Sequence, residues 1–178
     1  MTCTTALPQR RRDIRVLGID PGTTRIGYGI IVARGAALTH VRSELVQFPA
    51  STGAERLHRI AEAIDTLLRT ERPDCVSIER LFVTRNQRTA MSVAEARGVI
   101  MAAVAAHQIP LIELTPSAVK LAVTGDGRAS KAAVARMVGY LLKERFQVVD
   151  DITDALAIAI AGAGTLSFGG VDTQHPHP

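Results

Sequence analysis

Apolar and polar residues alternate, or apolar residues run on, in three successive segments near the start of the chain. These segments cover residues 15–20, 25–33 and 37–48, and the glycine-containing turns PGTT and RGA separate them. Period-two alternation between turn residues is typical of β-strands that pair in chain order. The pattern therefore predicts a three-stranded antiparallel meander with its third strand at the edge of a sheet.

The remainder of the chain alternates between helical and strand-like patterns. Apolar residues at helical spacing fill 53–69, the short β-branched run CVSIE follows, and an alanine-rich helical segment then precedes IPLIEL. Ser130 is placed to cap one of the later helices. We predict strands at 75–79 and 109–114 and helices at 53–69, 87–107, 116–125, 130–144 and 151–166. The predicted fold class is α/β, with a five-stranded mixed sheet of three antiparallel strands followed by two parallel strands, flanked by helices.

Composition fits one folded domain with a sizeable core, because 47% of the 178 residues are hydrophobic and 21% are charged. We expect a flexible basic N-terminus at 1–13, a single domain at 14–166 and a disordered tail at 167–178. No apolar run is long enough to span a bilayer, and neither cysteine has disulfide or metal-ligand spacing. A soluble, cytoplasmic protein is expected. The net charge of +4 favours an acidic polymer as partner but equally serves solubility.

Two acidic residues end predicted strands. Asp20 precedes Pro-Gly, where aspartate commonly starts a turn, and Glu79 ends CVSIE, where a solvated side chain is ordinary. If the first and fourth strands are parallel neighbours through a right-handed crossover, both carboxylates stand at the same edge of the sheet. That edge is where ligands bind in α/β proteins, so the pairing favours a functional role for both.

Further acids open the last helix, in the stretch VVDDITDALAIAIAG. Either Asp150 or Asp151 suits a helix N-terminus as a cap, and Asp154 is an ordinary first-turn acid. However, Asp151 and Asp154 are three residues apart and share one face of the helix, so both can point at one site.

Convergence of these strand ends and this helix predicts a metal site. Carboxylates packed together cannot all stay ionised unless their pKa values rise or divalent cations bind between them. Oxygen-only ligands favour Mg²⁺ or Mn²⁺. Two such ions activate water and stabilise the leaving oxygen of a phosphodiester, which predicts metal-dependent nuclease chemistry.

Four blocks of the sequence resemble, in order, those of the RuvC family of Holliday-junction resolvases: GIDPGTTRIGYGI, IERLFVTRNQRTAMSVAEARGVI, TPSAVKLAVTGDGRASKAAVARMV and DITDALAIAIA. The resemblance implies a ribonuclease-H-like fold, a homodimer, and two symmetric nicks across a four-way DNA junction that depend on two Mg²⁺ per site, or Mn²⁺. It also implies a branch-migration helicase partner of the RuvA and RuvB type. The family's four catalytic, metal-binding acids carry over onto Asp20, Glu79, Asp151 and Asp154, and the D-x-x-D spacing selects Asp151 over Asp150.

The resemblance also marks DNA-binding positions. Lys120 and Lys131 match lysines that lie near the active centre, although each alone reads as an ordinary surface charge. The glycine-rich TGDGRASK offers backbone N–H groups and Arg128 to phosphates. Phe82 matches an aromatic that stacks on a base, with core packing as the alternative. Arg85 and Arg88 are expected to contact the DNA backbone, although a solvated loop explains them nearly as well.

Other interpretations stay open at this stage. The stretch AMSVAEARGVIMAAVAA is apolar on more than one face, which suits either a dimer contact or burial within one domain. A phosphotransferase of the sugar-kinase and actin type also opens with an aspartate followed by Gly-Thr-Thr, but this chain is short for that duplicated fold. A related protein that trims RNA, or a junction-binding module without catalysis, is the second alternative.

Overall fold

The computed structural model describes residues 13–22, 24–48, 53–80, 87–146 and 151–168, with side chains described except at 87–89 and 167–168. Every predicted helix and strand is present, and each ends within two residues of its predicted bounds. The elements in chain order are β1 (Ile14–Asp20), β2 (Arg25–Arg34), β3 (Ala37–Gln47), α1 (Gly53–Glu71), β4 (Cys75–Glu79), α2 (Gln87–Ala106), β5 (Leu111–Leu114), α3 (Pro116–Thr124), α4 (Lys131–Leu142) and α5 (Asp151–Phe168).

The sheet has the predicted mixed topology, and its strand order is β3-β2-β1-β4-β5. β1 pairs antiparallel with β2, and β2 pairs antiparallel with β3, whereas β4 is parallel to both β1 and β5. The α/β prediction is therefore confirmed, including the edge position of β3. β5 begins later than predicted because Pro110 has no N–H to donate, although its carbonyl still accepts the Val76 N–H at 2.9 Å.

Alternate residues of the central strands face two different helical layers. Leu17 and Ile19 of β1 pack with α1 and α2, whereas Val16 faces the layer built from α3, α4 and α5. β4 repeats the pattern, with Ile78 toward α1 and α2 and the Ser77 hydroxyl donating to a carbonyl of α5. Because side chains alternate along a strand, this period fixes the face on which the last residue of each strand lies.

Helix α5 forms the centre of its layer, and its residues from Ala155 to Ala163 are buried. It lies very close to β1, since a Cβ added at Gly18 would fall 2.1 Å from the Ala155 carbonyl oxygen. Glycine is required where a helix backbone approaches a strand this closely. α5 continues through Ser167 and Phe168, two residues into the predicted tail, and the rest of that tail and residues 1–12 lie outside the described residues.

Helix α2 packs one side against the core and exposes another. Ile100 and Val104 are buried, whereas Ala94, Gly98 and Ala102 are exposed and make a face of small residues. The expectation of apolar residues on more than one face is confirmed, and a second subunit on the exposed face stays a prediction. Within the described ranges, no helix combines the length and the apolar character that crossing a membrane requires.

Candidate active site

Two carboxylates lie side by side where β1 and β4 end. The strands are in parallel register through the pair Ile19 and Ile78, and Asp20 and Glu79 each come one residue later. Alternation places both side chains on the face covered by α5, opposite Ile19 and Ile78. The predicted proximity of these two residues follows directly from the strand register.

Helix α5 brings two further carboxylates to the same edge. Its first turn contains Asp151 and Asp154, and it lies over the start of β2 because Gly27 has no side chain. A Cβ at Gly27 would fall 2.2 Å from the Asp151 carbonyl oxygen. The absence of a side chain at Gly27 therefore allows Asp151 to lie at this depth.

Three of the carboxylates line one cleft, and Asp151 lies beside it. Ligand oxygens of Asp20, Asp151 and Asp154 all lie within 4.8 Å of one another. Glu79 falls outside that set of three but lines the same cleft of about 230 Å³ as Asp20 and Asp154. Lys120 of α3 and Lys131 of α4 complete its polar lining, so the structure brings together six of the predicted site residues.

Burial and mutual repulsion perturb the strand carboxylates. The pKa of Asp20 is raised from 3.8 to about 7, chiefly by burial and then by the negative charges of Asp154 and Glu79. Burial and the Asp154 charge also raise the pKa of Glu79, while the ammonium groups of Lys120 and Lys131 act to lower it. Strong perturbation in a cleft is characteristic of functional carboxylates.

Two cations pair with the helix carboxylates. Lys131 Nζ lies 2.6 Å from Asp154 Oδ2, and this hydrogen bond raises the pKa of the lysine. Arg25, the first residue of β2, forms an ion pair with Asp151 through its Nε. Lysine and arginine charges therefore offset part of the repulsion in the cluster.

The donor set fits a hard divalent cation. Three clustered aspartates and a neighbouring glutamate supply only oxygen ligands, the set preferred by Mg²⁺ and Mn²⁺. The raised pKa of Asp20 adds a second reason, because a bound cation stabilises the ionised carboxylate against the burial and the negative charges that raise this pKa. Asp20, Asp151 and Asp154 are therefore the residues that can hold such an ion together.

The predicted DNA-binding residues divide into three groups. Lys120 and Lys131 line the cleft. Arg128 is exposed on the loop between α3 and α4, where its backbone N–H donates a hydrogen bond to Asp126 Oδ1 at 2.8 Å. Phe82 and Arg85 lie outside the described residues, and Arg88 lies within α2 with its side chain outside the description.

Sequence reasoning missed residues that act on the site through packing. Gly18 and Gly27 set the depth of α5, and the buried Ser77 hydroxyl donates to the Ile158 carbonyl at 2.9 Å. Arg25 was read only as a strand residue. The alternating glycines of GIDPGTTRIGYGI were the available signal, since glycine inside a strand often marks close backbone approach.

Comparison with known proteins identifies the family of this chain. The family described as "Crossover junction endodeoxyribonuclease RuvC" matches residues 16–162. A relative of that name from Heliobacterium modesticaldum is 44% identical over 156 residues, covering 86% of this chain and 96% of the relative. One from Brevibacillus brevis is 41% identical, covering 87% and 95%.

Comparison with a solved structure identifies the same family through the fold. The structure described as T. thermophilus RuvC in complex with Holliday junction substrate aligns with a TM-score of 0.82 and 32% identity, covering 88% of this chain and 96% of that one. The ribonuclease-H-like fold expected from the sequence is thereby confirmed. Sequence blocks, sheet topology and the acidic cleft agree, and the chain belongs to the crossover junction endodeoxyribonuclease RuvC family.

Proposed function

We propose that this protein is a structure-selective endonuclease that resolves four-way DNA junctions during recombination and repair by two symmetric, metal-dependent nicks. The observation that carries the proposal is the set of three aspartates whose ligand oxygens lie within 4.8 Å of one another, in a chain of this family. The solved relative bound to a Holliday junction supports the choice of substrate.

Asp20, Glu79, Asp151 and Asp154 are assigned as the catalytic, metal-binding residues. Together they would hold two Mg²⁺ ions, or Mn²⁺ ions, and such ions would supply activation of a water and stabilisation of the leaving oxygen. Asp20 and Glu79 are fixed by strand ends and the other two by the first helical turn of α5, so the ligands lie on rigid elements. Rigid ligands would keep the attacking water and the scissile phosphate at a constant distance and orientation relative to each other.

Lys131 and Lys120 are assigned to the scissile phosphate. Lys131 is half exposed and already hydrogen-bonded to Asp154, so its ammonium lies at the border between the cluster and the incoming strand. Lys120 lines the same cleft from α3. Ammonium groups at this border stabilise the negative charge that grows on the phosphate during attack.

DNA positioning is assigned to residues around the cleft. Arg128, exposed beside the N-terminus of α4, contacts a backbone phosphate together with nearby N–H groups, and Arg85 and Arg88 contact phosphates beyond Glu79. Phe82 stacks on a base where the junction opens, a contact worth ~1–3 kcal/mol. Replacing Phe82 with alanine should therefore reduce cleavage more than binding, and equal losses would assign it to anchoring alone.

The symmetric reaction requires two copies of the site. A homodimer with two-fold symmetry supplies them at a fixed separation, and the exposed small-residue face of α2 suits close helix contact. Gly98 lies on this face, with open space around its Cβ position. We also assign a cytoplasmic location and a branch-migration helicase partner of the RuvA and RuvB type, on the family resemblance.

A substrate comparison tests the proposed function. A synthetic four-way junction, a linear duplex of the same sequence and a structured RNA are incubated with the protein and with Mg²⁺ or Mn²⁺ in turn. The junction alone should be cut, at symmetric positions, and Asp20→Asn should abolish cutting while leaving junction binding intact or stronger, because it removes a negative charge facing phosphate. Preferential RNA cleavage, or nucleotide hydrolysis without nuclease activity, would overturn the proposal.

A further inference from the structure

Arg25 lies within the motif block GIDPGTTRIGYGI, but neither the resemblance nor the proposed function gives it a role. It opens β2 on the α5 side of the sheet, and its side chain is 56% exposed while that of Asp151 is 21% exposed. Its Nε contacts Asp151 Oδ2. An arginine with half its side chain in solvent is therefore bound to a carboxylate of the candidate metal site.

The position of Arg25 is distinct from that of the two lysines. Lys120 and Lys131 reach the carboxylates from α3 and α4, whereas Arg25 reaches them from β2, two residues before Gly27, over which Asp151 lies. Positive charge therefore reaches the acidic cluster from three different elements, β2, α3 and α4.

A guanidinium and a divalent cation compete for the same carboxylate. Arg25 neutralises Asp151 in the arrangement seen here, and a divalent ion that takes Asp151 as ligand supplies that positive charge instead. The guanidinium is then free, and its planar fork of donors matches a phosphate as well as it matches a carboxylate. Its exposed tip stays beside the cleft because β2 is fixed in the sheet by its register with β1.

We propose that Arg25 couples metal binding to DNA binding: it pairs with Asp151 when no divalent ion is bound, and binds a backbone phosphate of the substrate strand when the ion occupies Asp151. This inference rests on the proposed function for the identity of the phosphate ligand. Linkage requires the coupling to be reciprocal, so DNA that engages Arg25 also favours metal binding. Arg25 is a positioning and binding residue in this scheme, not a metal ligand.

The first test measures metal binding without DNA. Mn²⁺ is titrated calorimetrically into the full-length protein, into Arg25→Gln and into a control, Arg34→Gln. Arg34 ends the same strand and pairs with Asp13 at 2.6 and 2.5 Å, so the control removes the same charge and the same kind of ion pair far from the cleft. Arg25→Gln should bind Mn²⁺ about 2- to 5-fold more tightly, the contribution of an exposed ion pair, and the control should be unchanged.

The second test measures junction affinity with and without a divalent ion. With Ca²⁺ present, Arg25→Gln should bind the junction about 5-fold or more weakly, since a charge-assisted phosphate contact is removed. The slope of log affinity against log salt concentration should become shallower by the amount that about one phosphate contact contributes. In EDTA the loss should be under about 2-fold, because Arg25 is then held by Asp151. Arg25→Lys, which keeps the charge, should recover part of the metal-dependent affinity.

The outcomes separate this inference from the proposed function. A junction-cutting wild type in which Arg25→Gln behaves like Arg34→Gln, or loses affinity equally with Ca²⁺ and EDTA, overturns the coupling alone. A wild type that cuts no junction, while Arg25→Gln still binds Mn²⁺ more tightly, overturns the function and supports the competition at Asp151. Matching thermal transitions of the two glutamine variants exclude misfolding as the cause.

Discussion

Replacing Asp20 with asparagine should stabilise the metal-free protein at neutral pH. The carboxyl lies at the end of β1 among three other acids, and its pKa is raised from 3.8 to about 7 by burial and by their charges. The folded protein therefore holds a proton at Asp20 that the unfolded chain releases between these two pH values. Because the folded state binds more protons there, stability falls as pH rises from about 4 to about 7 and is level above that.

The size of the effect follows from the pKa difference. A shift from 3.8 to about 7 corresponds to about 4 kcal/mol at 1.36 kcal/mol per pH unit. Side-chain relaxation and water entry reduce such values, so an observed gain of about 2–4 kcal/mol is expected above pH 7, which for a domain of this size raises the melting temperature by roughly 5–10 °C. Asparagine is neutral at every pH and copies the protonated acid, so the gain should vanish below pH 4.

Urea unfolding in EDTA from pH 4 to pH 8 measures this prediction. Asp13→Asn is the control. Arg34 lowers the pKa of Asp13, so removal of the Asp13 charge should not increase the free energy of unfolding at any pH. Adding Mg²⁺ should stabilise the wild type but not Asp20→Asn, since a ligand stabilises only the state that binds it. If the metal-free Asp20→Asn variant is no more stable than the wild type at pH 8, the carboxylates are not packed against one another as described.

Three further substitutions test the packing and charge of the site. Gly27→Ala should lower the single-turnover rate of junction cleavage by about 10-fold or more, because its methyl would lie 2.2 Å from the Asp151 carbonyl oxygen and a small displacement of catalytic groups is costly. Gly53→Ala is the control, since nothing lies within 4 Å of its Cβ position. Equal rates for the two variants would disprove the close approach of α5 to β2. Lys131→Gln should slow cleavage about 10- to 100-fold, because a positive charge beside the phosphate is lost. It should also move the acid limb of the pH–rate profile to higher pH, since the lysine lowers the pKa of Asp20 and Glu79. An acid limb that stays at the same pH would contradict this electrostatic role. Ser77→Ala should reduce the free energy of unfolding by about 1 kcal/mol through loss of its 2.9 Å hydrogen bond to Ile158, as read by urea titration, and an unchanged midpoint would show that the bond adds nothing.

The pattern of the sequence was sufficient to predict the sheet and the proximity of the two strand-end acids. Both predictions depend on short-range pattern: period-two alternation located the strands, and strand ends located Asp20 and Glu79. Their proximity needed only one topological step, the right-handed parallel crossover between β1 and β4, which the structure contains. For the pair on α5, helical spacing placed Asp151 and Asp154 on one face, and the resemblance to the RuvC family selected Asp151 over Asp150. Local periodicity together with one handedness rule therefore places Asp20 and Glu79 at one edge, whereas the convergence of α5 on that edge is set by tertiary packing.

The contacts that fix the depth of α5 were beyond local pattern. Gly18 and Gly27 matter because a helix more than a hundred residues later lies on them, and nothing within their own strands indicates which helix that is. The pairing of Arg25 with Asp151 has the same origin. A glycine in a strand predicts that some backbone approaches, but its partner is determined by tertiary packing.

Cationic side chains compensate the negative charges of the cleft unequally, and burial together with this difference explains why the pKa of Asp20 is raised. The helix acids Asp151 and Asp154 have direct cation partners in Arg25 and Lys131, and both also lie at the positive end of the α5 dipole. Burial and then the charges of the other acids disfavour the ionised form of Asp20 and raise its pKa, and the charge of Lys131 acts to lower it. The raised pKa of Asp20 means that an ion that takes Asp20 as a ligand near neutral pH must displace a proton. The same residue that lowers the stability of the metal-free fold above pH 4 is thus the one whose ionisation makes the site able to bind a metal.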